Sequence, residues 1–249
     1  MTGLEFSFQE MITEVDSFSR LSEKFVTTES RGVLQALKRS LENYRAEPTE
    51  GSLSWQISEH LPLRTVISQG KYEKGGNGAH HLYAEISAVW EIQRMRERKL
   101  AMPAKRFKLI GLASTRIRVL CEPLDEAPAR EIAMWRMEIG DDNSPGCHFH
   151  IQVLGAEEFP FPKSLPIPRF PGLIMTPAAA TEFVLAELFQ DEWASHVSRG
   201  GADLDRWRPI QKSRWEKLLN WKLRMVAGSA SPWTAIKSAK PEPGVFIGA

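Results

Sequence analysis

Two histidines are separated by a single residue in the stretch PGCHFHIQVLG, residues 145–155. Side chains at positions i and i+2 of a strand point to the same face about 7 Å apart, so His148 and His150 could face one ligand together. Two imidazoles at this spacing suit a metal ion, and they also suit an acid and a base that flank a phosphate group. The simpler alternative is that both rings are solvent-exposed polar residues on the open face of a sheet.

A metal site would need a third ligand besides the two strand histidines. The candidates in the sequence are His80, His81, Glu192 and His196. None of them has a spacing that assigns it to a metal, so the metal and any cofactor stay unassigned. Glu192 and His196, four residues apart on a predicted helix, could also form a carboxylate–imidazole pair or a pair at the boundary of an amphipathic helix.

Three arginines are predicted to share the polar face with the two histidines. Alternation in neighbouring runs places Arg116, Arg118 and Arg136 opposite the apolar residues of their strands. Guanidinium groups bind phosphates and carboxylates, so these arginines could stabilise charge during catalysis on a phosphate ester. The competing interpretation is that they pair with glutamates on facing strands and keep the sheet soluble.

Two basic clusters could contact a nucleic acid or an acidic protein partner. The first lies in residues 94–108, where a hairpin should project, and the second lies in residues 206–224, among tryptophans. Basic side chains contact phosphates, and aromatic rings can stack on bases. The residues predicted to contact a partner are Arg94, Arg96, Arg98, Lys99, Lys105, Arg106, Arg214, Lys217 and Arg224. The alternatives are a solvated turn for the first cluster and docking to a partner helix for the second.

Hydrophobic periodicity predicts the elements that hold these residues. Apolar residues at steps of three and four predict a helical segment in residues 1–47, and alternation predicts a sheet in residues 61–155. The clearest alternating runs are 82–93, 107–121, 133–139 and 147–153. One polar face per strand is typical of an antiparallel sheet packed on one side. We therefore expect an α+β fold, an antiparallel meander of about four to six strands with the N-terminal helices on one face.

Two C-terminal helices are predicted in residues 176–228. The first has Thr176 as N-cap and Pro177 at its first position, and it should continue to about residue 197. The second should run over roughly residues 209–226. Its expected apolar side contains Trp215, Leu218, Leu219, Met225 and Val226. Residues 229–249 have little periodicity, so we expect a loose tail that is free or docked on the domain.

Composition limits the classes of function. The 249 residues are enough for one domain spanning 1–249, and 32 Lys and Arg against 31 Asp and Glu give a formal net charge of +1. Such a balance produces no overall field that would attract nucleic acid or an anionic membrane. Only two cysteines, no apolar run of membrane-spanning length and no signal peptide predict a cytoplasmic protein without a membrane partner. Motifs for nucleotide hydrolysis, dinucleotide binding and serine or zinc hydrolysis are absent from the sequence.

Two hypotheses of function remain. The first is a non-catalytic soluble binding or accessory protein that contacts nucleic acid or a protein partner through its basic surfaces. The second is a phosphodiesterase or nuclease-type hydrolase that uses His148 and His150 as acid, base or ligands. We favour the first because a pair of histidines two residues apart is a weak motif by itself. The sequence leaves open whether the protein is an enzyme.

Overall fold

The computed structural model describes residues 3–47, 51–68, 81–95, 104–122, 128–140, 147–154, 169–173 and 176–247. The strands in these ranges are β1 (Glu5–Ser7), β2 (Ser52–Ile57), β3 (Leu63–Arg64), β4 (Leu82–Arg94), β5 (Arg106–Cys121), β6 (Arg130–Ile139), β7 (Phe149–Leu154) and β8 (Arg169–Pro171). The helices are α1 (Phe8–Leu21), α2 (Thr28–Ala46), α3 (Pro177–Ser198), α4 (Ala202–Ala227) and α5 (Pro232–Ser238).

The described strands form one antiparallel sheet. Its main path is the meander β2-β4-β5-β6-β7-β8, while β1 pairs with β5 and β3 pairs with β4. The predicted α+β class with an antiparallel meander is confirmed. The first strand of the sheet along the chain is β1, which lies inside the segment 1–47 predicted as helical. The second, β2, begins at Ser52, before the predicted start of the sheet near Leu61. β2 does alternate between polar and apolar residues, but it has only six residues. It also follows directly on a connection rich in turn-forming residues, so the alternation was too short to be recognised as a strand.

The apolar face of the sheet packs against the N-terminal helices, as the alternation predicted. Ile86 of β4 lies opposite Ile117 of β5, and both side chains are fully buried. Phe8 of α1 contacts Phe107 of β5 with ring centroids 4.9 Å apart. Trp55 Nε1 of β2 donates a hydrogen bond to the Leu37 carbonyl of α2 at 2.9 Å. The other face therefore carries the polar members of each strand.

The predicted start of α3 is confirmed, because the Thr176 hydroxyl accepts a hydrogen bond from Ala179 N and Pro177 occupies the first turn. Gln190 interrupts this helix with φ of 37°, yet Phe189 before it and Trp193 after it both pack against Phe25. α4 begins at Ala202, upstream of the predicted start, and contains Pro209 within it. The sequence favoured a start at the proline because proline lacks the N–H that a helix interior uses.

The segment after α4 is docked on the domain. Phe246 is buried and stacks on Phe6 of β1, with ring centroids 5.7 Å apart. The Glu5 N–H donates a hydrogen bond to the Pro243 carbonyl at 2.8 Å. The tail was expected to be either free or docked on the domain, and the segment around Pro243 and Phe246 is docked. Within the described residues, no helix combines the length and apolarity needed to cross a membrane.

Candidate functional site

Two arginines face each other across the polar side of the sheet. Arg116 of β5 is the direct partner of Arg136 of β6, and Ser87 of β4 is the partner of Arg116 on its other side. Like charges placed directly opposite each other destabilise an antiparallel pair. This arrangement is consequently unfavourable for the sheet alone, and it concentrates positive charge at one point of the polar face.

Both arginines line one cleft with a volume of about 360 Å³, within the usual range for small-molecule sites. The lining residues are Glu59, Ser87, Ala88, Val89, Ser114, Arg116, Met134 and Arg136. The two serines contribute hydroxyl groups that can donate hydrogen bonds, while Val89 and Met134 contribute apolar surface. The cleft thus combines anion-binding groups with room for an apolar part of a ligand.

Arg116 is held by an exposed carboxylate. Its Nη1 lies 3.0 and 3.1 Å from the two carboxylate oxygens of Glu59, and its Nε lies 3.0 Å from Met134 Sδ. Glu59 belongs to the turn between β2 and β3, where Leu61 N donates to Ser58 O at 3.2 Å. The Glu59 side chain is 65% exposed and that of Arg116 is 32% exposed. Ion pairs this accessible to water contribute little stability.

Arg136 is held by buried partners. Its Nε forms an ion pair with Glu138 Oε1 at 2.9 Å, and its Nη2 donates to Gln152 Oε1 at 3.1 Å. The Glu138 side chain is only 6% exposed. Because Gln152 is buried as well, Arg136 is fixed from behind while part of its guanidinium group stays accessible at the cleft.

Glu138 also contacts His150, with Oε2 2.9 Å from Nε2 of the ring. The other ring nitrogen, Nδ1, lies 3.0 Å from the Cys147 carbonyl. Carbonyl and carboxylate oxygens are acceptors, so each contact requires a hydrogen. Glu138 divides its two carboxylate oxygens between Arg136 and His150.

The two strand histidines are not exposed. His148 is 6% and His150 is 2% accessible, so the solvent-exposed alternative is wrong for this end of the sheet. The His148 ring contacts the Phe149 ring, with centroids 4.9 Å apart. Both ring nitrogens of His150 already have partners, so neither is available to a ligand in this arrangement. The alternation placed His150 on the correct face but could not indicate its burial.

Arg118 does not line the cleft. Its Nε donates to Glu131 at 2.6 Å and its Nη1 donates to Glu85 at 2.9 Å. The hydrogen bond to Glu131 raises the pKa of Arg118. Arg118 therefore pairs with glutamates on the facing strands, which is the competing interpretation given for the three arginines. The two carboxylates leave it no excess positive charge.

The candidates for a third metal ligand are not gathered around His150. His80 lies outside the described residues. His196 Nε2 contacts the Leu21 carbonyl at 3.0 Å in the helical layer, and Glu192 is exposed. His81 lies just before β4, where its carbonyl accepts a hydrogen bond from Glu122 N at 2.8 Å. In the part of the chain that the structure describes, no three His, Cys, Asp or Glu residues are placed to hold a metal ion.

The basic hairpin is described only at its base, since Arg96, Arg98 and Lys99 lie outside the described residues. The Arg94 guanidinium lies over the Tyr44 ring, 5.1 Å from its centroid. Arg106 pairs with Glu5 at 3.5 Å, across strands β5 and β1. The Lys105 carbonyl accepts a hydrogen bond from Phe8 N at 3.0 Å.

The basic residues of α4 do not form one exposed surface. Arg214 is buried and bound to Glu14 of α1, and Lys217 Nζ donates to the Phe246 carbonyl at 3.1 Å. Of the three predicted contact residues in this helix, Arg224 is the exposed one. Trp215 and Leu219, both expected on the apolar side of α4, are 40% and 45% exposed. The buried side of the helix contains Leu204, Trp207, Arg214, Leu218 and Trp221 instead.

No pattern in the sequence pointed to Glu14, whose fully buried carboxylate joins three helices. It accepts hydrogen bonds from Thr176 Oγ1, from Gln211 Nε2 at 2.8 Å and from Arg214 Nη1. Glu182 of α3 lies nearby, where burial raises its pKa, a hydrogen bond from Trp207 lowers it, and the charge of Glu14 raises it. These contacts explain why a charged residue of α4 faces the core.

The sequence also missed Glu59, which lies outside the runs with clear alternation. Glu138 lies within the alternating run 133–139, whose pattern places it on the polar side of its strand but assigns it no role. No protein-family model, curated protein or solved structure significantly matches the chain. The cleft presents two guanidinium groups and two hydroxyl groups that can bind an anion.

Proposed function

We propose that this protein is a non-catalytic binding protein that holds a phosphate-bearing ligand in the cleft between Arg116 and Arg136. The observation that carries the proposal is the direct opposition of these two arginines in one cleft. An anion between the two guanidinium groups would compensate their repulsion. Guanidinium donors in a planar fork match the geometry of phosphate oxygens.

The charges around the cleft support this proposal. Glu138 orients Arg136 through one carboxylate oxygen and contacts His150 through the other, so Arg136 is not its only partner. Glu59 balances Arg116. Both guanidinium groups lie at the cleft next to the hydroxyl groups of Ser87 and Ser114.

The hydrolase hypothesis has less support from the same contacts. A general acid or base must reach the reacting group through a nitrogen that can gain or lose a proton. Both nitrogens of His150 have protein partners, and the ring is almost fully buried. A binding role needs no free imidazole, and it uses the arginines that do line the cleft.

Calorimetric titration with inorganic phosphate and a nucleoside monophosphate tests the binding proposal. Arg116→Gln and Arg136→Gln should each weaken binding about 10- to 100-fold, the size expected for a lost hydrogen bond to a charged group. Arg118→Gln is the matched control, because this arginine lies on the same face outside the cleft, and its affinity should stay within about twofold. Absence of binding to the parent protein, or an equal loss in the control, would contradict the proposal.

Oligonucleotide titrations of the parent and of a variant with a neutralised hairpin distinguish nucleic acid from a small phosphate-bearing ligand. A single-stranded oligonucleotide should bind with a strong dependence on salt if nucleic acid is the partner. In that case neutralising Arg94, Arg96, Arg98 and Lys99 should weaken the oligonucleotide complex and leave nucleoside monophosphate binding unchanged. The affinity for a ligand that contacts only the cleft should not change when these four residues are neutralised.

A turnover assay tests the alternative directly. Phosphodiester substrates should not be hydrolysed, and His148→Ala should leave this unchanged in a folded protein. Turnover by the parent that disappears in folded His148→Ala and His150→Ala variants would favour the hydrolase. The cytoplasmic location expected from the sequence belongs to the proposal as well, and it is supported by the free thiols of Cys121 and Cys147.

A further inference from the structure

The cleft contains a carboxylate that the chain itself supplies. Both oxygens of Glu59 lie within 3.1 Å of the same Arg116 nitrogen, at the position where a ligand oxygen would be expected. A carboxylate and a phosphate compete for the same guanidinium donors because both present closely spaced anionic oxygens. Glu59 therefore resembles a ligand group bound at half of the site.

We infer that Glu59 is an internal competitor, which occupies Arg116 in the ligand-free protein and is displaced by the dianionic phosphate of a phosphomonoester. This inference rests on the proposed function, and it adds both the ligand class and a control on affinity. Displacement involves no covalent change, since only the partner of Arg116 is exchanged.

The two carboxylates beside the arginines differ in how firmly they are held. Glu138 is 6% exposed and is bound to His150 as well as Arg136, so leaving its position would break two buried contacts. Glu59 is 65% exposed, and its oxygens share one nitrogen instead of forming two parallel bonds. An ion pair this exposed contributes little stability, so a ligand anion can replace Glu59 at Arg116. Glu138 thus stays while Glu59 can leave.

The charge of the cleft after this exchange indicates the ligand. Departure of Glu59 makes the net charge of the cleft more positive by one unit, and Arg116 and Arg136 then both face the ligand. A phosphomonoester has a charge of about −1.5 to −2 at pH 7. A phosphodiester has a single negative charge for each phosphate. The open cleft therefore matches a terminal phosphate better than an internal one.

The deciding experiment compares Glu59→Gln with Glu131→Gln, a control that removes the partner of Arg118 outside the cleft. Titration with phenyl phosphate should give about two- to fivefold tighter binding for Glu59→Gln, the size of an exposed ion pair. The control should match the parent. The parent and Glu59→Gln should each bind a 5′-phosphorylated oligonucleotide more tightly than the same oligonucleotide without its terminal phosphate.

The outcomes separate this inference from the proposed function. Equal or weaker binding by Glu59→Gln, in a protein whose affinity still depends on Arg116 and Arg136, overturns the competitor and leaves the binding site standing. Equal affinity for both oligonucleotides overturns the phosphomonoester as the ligand class. If neither the parent nor Glu59→Gln binds phenyl phosphate, the proposed function fails and the inference fails with it. Thermal unfolding of both variants verifies that the exposed substitutions leave the fold intact.

Discussion

Glu138 Oε2 lies 2.9 Å from His150 Nε2, and only 6% and 2% of the two side chains are exposed. Replacing Glu138 with Leu leaves both His150 and Arg136 without this partner inside the protein. Breaking a buried charged pair on one side destabilises proteins by about 3–5 kcal/mol, and we expect a loss of this size in urea unfolding. Glu138→Gln should lose less, because its amide can donate to a neutral His150 ring.

Glu131→Leu serves as the control for this experiment. Glu131 also pairs with an arginine of the polar face, but both side chains are partly exposed. Its loss should cost less than about 1 kcal/mol. Equal destabilisation by the two leucine substitutions would mean that burial of Glu138 has no energetic consequence.

Gly172 follows β8 at a point where no side chain fits. A Cβ atom there would lie 2.9 Å from the backbone carbon of His150, and backbone cannot move aside as the end of a side chain can. Gly172→Ala should therefore destabilise the protein by about 1–3 kcal/mol, the usual range for overpacking. Gly32 lies in the second turn of α2, where an added Cβ would meet no atom within 4 Å beyond the adjacent helix backbone. Gly32→Ala should instead stabilise the protein by about 0.5–1 kcal/mol. Urea unfolding of both variants measures the contrast, and the same sign for both would contradict the close approach at His150.

Alternation in the sequence was enough to place Arg116 and Arg136 on one face, because that pattern follows from strand geometry alone. It could not place them opposite each other, since register depends on irregularities such as those beside Trp90 and Val119. The contact of Arg116 with Glu59 joins residues 57 positions apart. No local periodicity encodes such a contact, so the cleft became visible only in three dimensions.

The buried pair of Arg214 and Glu14 predicts a structural role for a residue that the sequence suggested as a binding residue. Arg214→Leu leaves the Glu14 carboxylate buried without its cation and should cost about 3–5 kcal/mol in urea unfolding. Arg224→Leu, on the exposed side of the same helix, should cost less than about 0.5 kcal/mol. Neither substitution should change phosphate affinity, provided that the protein is folded. A loss of affinity in folded Arg224→Leu would return α4 to the binding surface.

The burial of Glu182 leads us to expect that the stability of the protein depends on pH. Burial raises its pKa above the ordinary value of 4.5, so the folded protein holds this proton more tightly than the unfolded chain. Stability associated with the protonated form is present below the unfolded pKa and is lost as the pH rises through the raised folded pKa. Glu182→Gln does not titrate and can still accept the hydrogen bond from Trp207. The variant should therefore gain stability relative to the parent as the pH rises above 4.5, and then level off.

Urea unfolding of both proteins at several pH values between 4 and 8 measures this difference. A difference that stays constant with pH would mean that the Glu182 carboxyl titrates alike in the folded and unfolded chains. A difference that shrinks as the pH rises would mean that the folded protein prefers the ionised form.

The hydrogen bond from Glu5 N to the Pro243 carbonyl has a consequence for how copies of this chain behave in solution. An unpaired strand edge is a template on which another chain can add a strand, and proteins protect such edges by covering them. β1 pairs with β5 on one side, and the segment that contains Pro243 and Phe246 lies along its other side. The C-terminal segment thus shields this edge against aggregation.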